Sequence, residues 1–371
     1  MTVLAPALPA SRRGIGTRLL RSPLVDLLLG PHGVDRYLEL IRPALTVHDA
    51  RAEVTAVRRQ TARSATLTLR PNAAWPGFRA GQFVRAGFEI DGVRRTRTYS
   101  PAGSEHAGHA ELELTVTTHP GGAVSPRVVE ACRPGSVVHL SAPLGEFVLP
   151  PRRPERLVLI SGGSGITPVM SMLRTLVDEG HEGEIVFLHY ARTPGDWLYE
   201  REVRELARRA RITFAYRATR GPDASSHLDA DGLHALTGGP QNAHAAVCGP
   251  PAMLAAARDA WAQLAGDPDR LLSETFTAPS LAVSGAAAEG TLRFVRSDRS
   301  AAIAGGTLLE QAEAAGLDPA FGCRMGICRT CTCRKSAGAV RNLVTGEISA
   351  EEDEDIQLCV SVPAGDVALE L

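Results

Sequence analysis

Nothing in the sequence approaches the ~18 to 20 consecutive apolar residues needed to cross a bilayer. The longest candidate, Leu24 to Leu29, is broken by Asp26 and bounded by proline and glycine, so no transmembrane helix is expected. The N-terminus, MTVLAPALPASRRG, has no basic stretch ahead of an apolar core and does not read as a secretory signal. A basic excess is also missing: the formal net charge is -1 over 371 residues, which gives no argument for nucleic acid as a partner. Disulfide arithmetic fails as well. Of the seven cysteines, four crowd into one C-terminal run, Cys132 and Cys248 lie far upstream, and Cys359 is near the end. In a reducing compartment such clustering reads as ligation of a metal or cluster, and a cytoplasmic protein is expected.

What the sequence does contain is enough for two or three ordinary domains, with 44% hydrophobic and 22% charged residues. Residues 1–46 hold two helix-like stretches, RLLRSPLVDLLLG and GVDRYLELIRPAL, a helical N-terminal extension. It has two readings: a cap on the first domain, or a peripheral contact with the inner face of the membrane. Residues 47–152 alternate apolar and polar residues in short segments such as ATLTLR and AELELTVTT, the pattern of a small antiparallel barrel. Over 153–277, apolar runs such as RLVLISGG and EIVFLHYA alternate with helical stretches, the βαβ rhythm of a parallel sheet. A segment rich in alanine, serine and glycine at 278–290 reads as a linker to a last domain at 291–371.

That last domain contains CRMGICRTC, in which Cys323, Cys328 and Cys331 are spaced C-x4-C-x2-C, with Cys359 following 28 positions later. This is the plant-type [2Fe-2S] arrangement: a tight loop supplies three thiolates and a distant residue the fourth. Gly322 and Gly326 are expected to relieve crowding in the loop. Zinc is the competing reading, but its sites show paired C-x2-C units rather than a triple and a lone cysteine. Cys333 lies in an extended segment two residues beyond Cys331 and is expected not to be a ligand. The acidic run Glu351 to Asp355 is either a solvated face or a docking patch for a basic electron partner.

A cluster of this kind moves single electrons, and the upstream sequence carries the parts of a two-electron donor. Arg97, Thr98, Tyr99 and Ser100 end one strand; arginine suits a pyrophosphate and tyrosine can stack on a flavin ring. GGAVS, with Gly122, Val124 and Ser125, follows the strand AELELTVTT and offers amides and a hydroxyl to phosphate. Then comes ISGGSGITP, where Gly162 and Gly163 allow close backbone approach and Thr167-Pro168 opens a helix toward a nucleotide pyrophosphate.

With these three motifs in order, the chain resembles the ferredoxin-NADP reductase superfamily, in its members fused to a C-terminal plant-type ferredoxin domain. The resemblance covers about residues 50–371. It implies a six-stranded antiparallel FAD-binding β-barrel, an α/β parallel-sheet NAD(P)H domain and a β-grasp ferredoxin domain. Val247 to Met253 (VCGPPAM) looks like the nicotinamide-side motif, with Cys248 near the hydride, and Gly249, Pro250 and Met253 at the nucleotide. Glu274-Thr275-Phe276 looks like the segment that brings a carboxylate and an aromatic ring to the flavin. By the same resemblance Val116 and Thr117 line the ring, Gly122, Val124 and Ser125 hold the phosphates, and Ser100, Cys248 and Glu274 form the catalytic set. Arg192 after the second strand of the parallel sheet would meet a 2'-phosphate, although relatives that use NADH also carry arginine there.

The implied cofactors are FAD, a [2Fe-2S] cluster and NADPH; module order alone leaves FMN open. The N-terminal segment with PHGVDRYLELIRP resembles actinobacterial-type members that serve membrane-bound fatty acyl-CoA desaturases, so a diiron desaturase is the expected acceptor. The alternatives are an NADH-dependent reductase of an oxygenase or hydroxylase, and a redox sensor that holds flavin and cluster without turnover.

Overall fold

A computed structural model describes residues 33–107, 109–119, 122, 124–222, 224, 227–276, 290–322, 324, 326 and 329–371. The first helix-like stretch of the extension and nearly all of the 278–290 segment lie outside the described residues. The chain divides into two compact units, Met1–Thr275 and Phe276–Leu371. The first contains both the barrel and the parallel sheet.

Helix α1 (Gly33–Ile41) leads into the barrel. Asp35 accepts from the backbone amides of Val47 and His48, and Glu39 pairs with the buried Arg51, so the helix is tied to the first strand by charge-assisted bonds. The barrel strands are β1 (Arg51–Thr61), β2 (Ser64–Pro71), β3 (Val84–Ile90), β4 (Val93–Tyr99), β5 (Leu112–Thr117) and, after helix α2 (Ser125–Ala131), β6 (Val137–Leu140). They form one antiparallel sheet in the order β4-β3-β6-β1-β2-β5. Period-2 alternation puts Leu67, Leu69, Leu112, Leu114 and Val116 into a common core with Val54, Val84 and Phe88. An antiparallel bridge from Pro101 to Leu114, with Ala102 N donating to Glu113 O at 2.9 Å, brings the end of β4 back to β5. That contact joins the two outer strands and curls the sheet into a barrel.

The parallel sheet comprises β7 (Arg156–Gly162), β8 (Glu184–Ala191), β9 (Ile212–Ala218), β10 (His244–Cys248) and β11 (Leu271–Glu274), ordered β11-β10-β7-β8-β9. Helices α3 (Ile166–Asp178), α4 (Glu200–Leu206), α5 (Ala230–Thr237) and α6 (Pro251–Gln263) connect them. Six of the seven β7 residues are buried, as expected for a strand covered on both faces. On one face Val158, Ile160, Val186 and Leu188 pack with Leu233, Leu254 and Trp261 from α5 and α6.

The barrel is fastened to this sheet by Arg174 of α3. Its guanidinium donates to Glu113 of β5 at 2.6 Å, to Glu202 of α4 at 2.6 and 2.8 Å, and to the Ala102 carbonyl at 2.8 Å, and it lies over the Tyr199 ring. Tyr199, fully enclosed, hydrogen-bonds Thr115 of the barrel.

The second unit has strands β12 (Thr291–Phe294), β13 (Arg299–Ala302), β14 (Thr332–Asn342), β15 (Ile348–Ser349), β16 (Glu354–Gln357) and β17 (Ser361–Leu369), with helix α7 (Leu308–Ala314) between β13 and β14. The sheet runs β13-β12-β17-β14-β15, with β16 also on β14, and β12 pairs parallel to β17. Thr307 and Glu310 close a capping box at the start of α7, and Leu308 and Leu309 bury against Leu292, Phe294 and Val367. This is the β-grasp arrangement of a helix on a mixed sheet. Lys335, the one lysine of the sequence, is fully buried in β14 and donates to the carbonyls of Gly338 and Glu351.

Candidate functional site

Strand β4 and the residue after it present the four candidates on two faces. Arg97 and Tyr99 stand opposite Ala86 and Val84, and the Tyr99 ring meets Phe88 edge-on at 6.0 Å. Thr98 and Ser100 occupy the other face. Both of their hydroxyl oxygens are buried and have no hydrogen-bond partner among the described residues. A buried unpaired hydroxyl costs ~1–3 kcal/mol, so two at one strand end mark a place where a polar ligand edge fits.

The neighbouring candidates differ in what they offer. Val116 is fully buried with the barrel core, whereas Thr117 bonds Ser64 at 2.9 Å on the opposite face of β5. Gly122 donates to the His119 carbonyl at 3.0 Å, and Ser125 Oγ accepts from His119 N at 3.3 Å, closing a turn at the start of α2. Val124 is buried beneath that turn. Gly121 and Ala123 lie outside the described residues.

At the C-terminal edge of the parallel sheet, β7 ends at Gly162 and a single 3-10 turn, Gly163–Gly165, leads directly into α3. Thr167 and Pro168 are buried in the first turn of that helix. A Cβ on Gly165 would come 2.3 Å from the Cys248 carbonyl, so only glycine lets this turn sit against β10. A Cβ on Gly162 would meet Met253 and Pro250 at 2.8 and 2.9 Å, which brings the two nucleotide-side motifs into contact. Gly249 N donates to Glu274 O at 3.3 Å. Arg192 is exposed just past β8, and Arg217 stands beside Tyr190 in register on β9. Arg201 pairs with Glu205 one helical turn on, a solvated pair.

Cys248 and Glu274 are register partners on β10 and β11. The Cys248 thiol is wholly buried, and burial, then the nearby Glu274 carboxylate, holds its pKa well above the ordinary range. Burial alone pushes the Glu274 carboxyl up to about 7, and its Oε2 has no partner among the described residues. The edge therefore carries a neutral thiol next to a carboxyl able to change protonation near neutrality. Phe276 is half-buried and opens the second unit.

In the second unit, Cys331 and Cys359 are both buried, and Leu358 N donates to the Cys331 carbonyl at 3.1 Å. Gly326 N donates to Cys359 Sγ at 3.2 Å, the amide-to-sulfur contact that stabilises a thiolate. Gln357, two residues before Cys359, has a buried side-chain nitrogen without a partner among the described residues. Soft sulfur ligands with an amide donor suit an iron-sulfur cluster. Cys323 and Cys328 lie outside the described residues. Cys333 is buried in the same core as Cys331 and Cys359, its thiol toward the Arg334 carbonyl and its pKa pushed up to about 11 by burial.

In the cysteine loop Gly326 has φ +77°, and Arg324 and Arg329 also adopt the left-handed region, at +56° and +55°. Arg324 is held there by its ion pair with Glu313 and by lying 3.9 Å over the Phe321 ring, contacts with no signature in local sequence. Arg174 escaped sequence reasoning for the same reason, since its partners are 61 and 28 positions away.

Comparison with known proteins agrees with this layout. Residues 52–149 match the oxidoreductase FAD-binding domain, 159–259 the oxidoreductase NAD-binding domain, and 295–364 the 2Fe-2S iron-sulfur cluster binding domain. An NADPH oxidoreductase of Mycobacterium tuberculosis is 36% identical, over 99% of this chain and 96% of that one. A glycine betaine monooxygenase reductase subunit of Pseudomonas aeruginosa is 29% identical over 79% of this chain and 87% of its own. Phthalate dioxygenase reductase superposes with a TM-score of 0.60 at 22% identity, covering 86% of this chain and 97% of that one, a likeness of fold.

Proposed function

Because the chain belongs to the pyridine-nucleotide oxidoreductases of ferredoxin-reductase type, with FAD-binding, NAD-binding and 2Fe-2S domains in one polypeptide, we propose that it is the NADPH-dependent reductase of an oxygenase system. The family activity is transfer of electrons from NAD(P)H by way of FAD and a [2Fe-2S] cluster. When bound, the flavin converts a hydride into single electrons and the cluster carries them out one at a time. The rest is the work of this chain's residues. Thr98 and Ser100 supply hydroxyls to the flavin, Arg97 its charge partner and Tyr99 a ring, while Gly122 and Ser125 close on the phosphates. Gly162, Gly163 and the opening of α3 take the nucleotide pyrophosphate. Cys248 presents a neutral sulfur to the nicotinamide, and Glu274 holds or yields a proton beside it. Cys323, Cys328, Cys331 and Cys359 hold the cluster.

The observation that carries this reading is the pair of buried hydroxyls at Thr98 and Ser100, without a partner among the described residues, at the end of the strand that bears Arg97 and Tyr99. NADPH as donor is supported by the M. tuberculosis relative's name and by Arg192 and Arg217 at the ends of β8 and β9. An oxygenase acceptor is supported by relatives named as reductase components of glycine betaine monooxygenase and propane 2-monooxygenase. A membrane-bound desaturase is the second reading, favoured by the exposed Tyr37, Leu40 and Ile41 on α1, which suit a membrane-associated partner.

The test is Cys328→Ala. Reduction of a cluster-dependent acceptor should be lost, while NADPH-driven reduction of ferricyanide, which a flavin performs directly, should stay within about twofold. Loss of both activities with flavin still bound overturns this division of labour. NADPH turnover with purified oxygenase components, set beside turnover with desaturase-containing membranes, decides between the two acceptors.

A further inference from the structure

Helix α3 turns one polar stripe toward the barrel. Ser171, Arg174, Thr175 and Glu179 recur at the spacing of a single helix face, with Glu179 as the C-cap. All four meet the short segment that follows Ser100 and Pro101. Ser171 Oγ donates to the Gly103 carbonyl at 2.7 Å, Arg174 donates to the Ala102 carbonyl at 2.8 Å, and Thr175 Oγ1 accepts from Glu105 N at 3.1 Å. Glu179 Oε1 lies 3.0 Å from His106 Nε2. The segment is laid along the helix, and three of these four contacts are made to its backbone. Ser104 closes it on itself, its Oγ accepting from His106 N at 3.4 Å.

Packing does not ask for these groups. Ser171 and Thr175 are both 0% exposed, and Val169, Met170, Met172, Leu173 and Leu176 of the same helix are buried apolar residues. Alanine and valine would fill the two positions without taking hydroxyls out of water, a cost offset here by the bonds to Gly103 and Glu105. The exposed His106–Glu179 pair adds little, so the hold on the segment comes from Ser171, Arg174 and Thr175. What they join is specific. Gly103 follows Ser100 by three positions, and Ser100 carries one of the two buried hydroxyls that mark a place for a polar ligand at the end of β4. Ser171 follows Ile166, the first residue of α3, by five, just past the Gly163–Gly165 turn. One helix thus continues the nucleotide-side turn at its start and holds the barrel's ligand-side segment along its flank.

We propose that Ser171 and Thr175 are positioning residues for hydride transfer: by fixing the backbone of residues 102–106 on α3, they set the flavin held by the barrel at reacting distance from the nicotinamide held by the parallel sheet. The inference rests on the reading of the chain as a reductase that takes a hydride from NAD(P)H onto FAD. Neither side chain touches a cofactor. Each acts through the segment's backbone, Ser171 on Gly103 and Thr175 on Glu105. Reaction between two bound groups depends steeply on their placement, and a displacement of ~1 Å can cost about 100-fold in rate, so two short hydrogen bonds at this joint suffice to matter.

The test uses the full chain, as Ser171→Ala, Thr175→Val and the double variant. Hydrogen exchange of the peptide spanning residues 102–106, read by mass spectrometry with and without flavin, should speed up about tenfold in Thr175→Val, where the Glu105 amide loses its acceptor. With flavin and cluster bound, stopped-flow reduction of the flavin by NADPH should slow about tenfold in each single variant and further in the double. KM for NADPH should stay within about twofold. Thr175→Ser, which keeps the acceptor, should restore both exchange and rate. A role in folding alone would lower Tm and leave the rate per bound flavin unchanged, so a double variant that reduces its flavin within about twofold of wild type overturns the proposal. A slowed rate that Thr175→Ser does not restore overturns it too. A wild-type chain whose bound flavin is reduced by neither NADPH nor NADH would instead remove the reductase reading on which the inference rests.

Discussion

Glu274 shows how one side chain ties the chemistry to pH. Its carboxyl is held up to about 7 by burial, against ~4.3 in an unfolded chain. The native state therefore keeps its proton more tightly than the unfolded state. The stabilising contribution is fully present below about pH 4 and is lost as pH rises through about 7. Glu274→Gln removes that loss, so its Tm relative to wild type should rise from pH 5 to pH 8. On the proposed reading, a hydride delivered to a bound flavin would leave a negative charge on the ring, and the neutral Glu274 carboxyl would offset that charge by hydrogen bonding to it or giving up its proton. Wild-type turnover with ferricyanide should fall as pH rises through about 7, and the glutamine variant should be ~10–100-fold slower and flat across that range. A wild-type profile that is flat from pH 6 to 8 counts against the role. The sequence named Glu274 by family likeness but carried no sign of its altered acidity, which arises from packing around the end of β11.

Among elements, legibility followed alternation. Strands β1, β2, β3, β5 and β6 stand where apolar and polar residues alternate, and β7 and β8 are continuous apolar runs. Strand β4, VRRTRTY, has no such pattern and is readable only through the R-x-Y-S with which it ends. It is a strand because β3 pairs with it along its whole length, from Val84–Tyr99 to Ile90–Val93. Strand β14 hides another device. Lys335 lies where the β14–β17 register shifts, and its ammonium satisfies the carbonyls of Gly338 and Glu351 inside the sheet. Lys335→Met keeps the volume but leaves both acceptors unpaired, at ~1–3 kcal/mol each. The second unit should lose ~2–6 kcal/mol in denaturant unfolding followed by cluster absorbance, with flavin retention unchanged. An unaltered midpoint would show that the two carbonyls find other donors.

At the scale of the whole molecule, the order of modules was legible because each has its own period and its own motif. The joining of barrel and parallel sheet into a single unit was not, because it depends on Arg174, Tyr199 and Thr115 fastening one to the other, contacts spread over sequence separations that no local pattern records. The division into two units sets the response to iron loss. In the second unit Cys331 and Cys359 are part of the buried core with Leu292, Phe294 and Val360, so a cluster they hold is also a crosslink through that core. The first unit has a separate core in each of its two sheets and contains none of the four cysteines proposed as cluster ligands. Removing iron with a chelator under reducing conditions should therefore lower the melting transition of the second unit alone. The transition reported by flavin fluorescence should stay within about 2 °C, and ferricyanide reduction should persist in the iron-free protein. A single transition that moves as a whole would mean that the two units unfold together and that the cluster stabilises the entire chain.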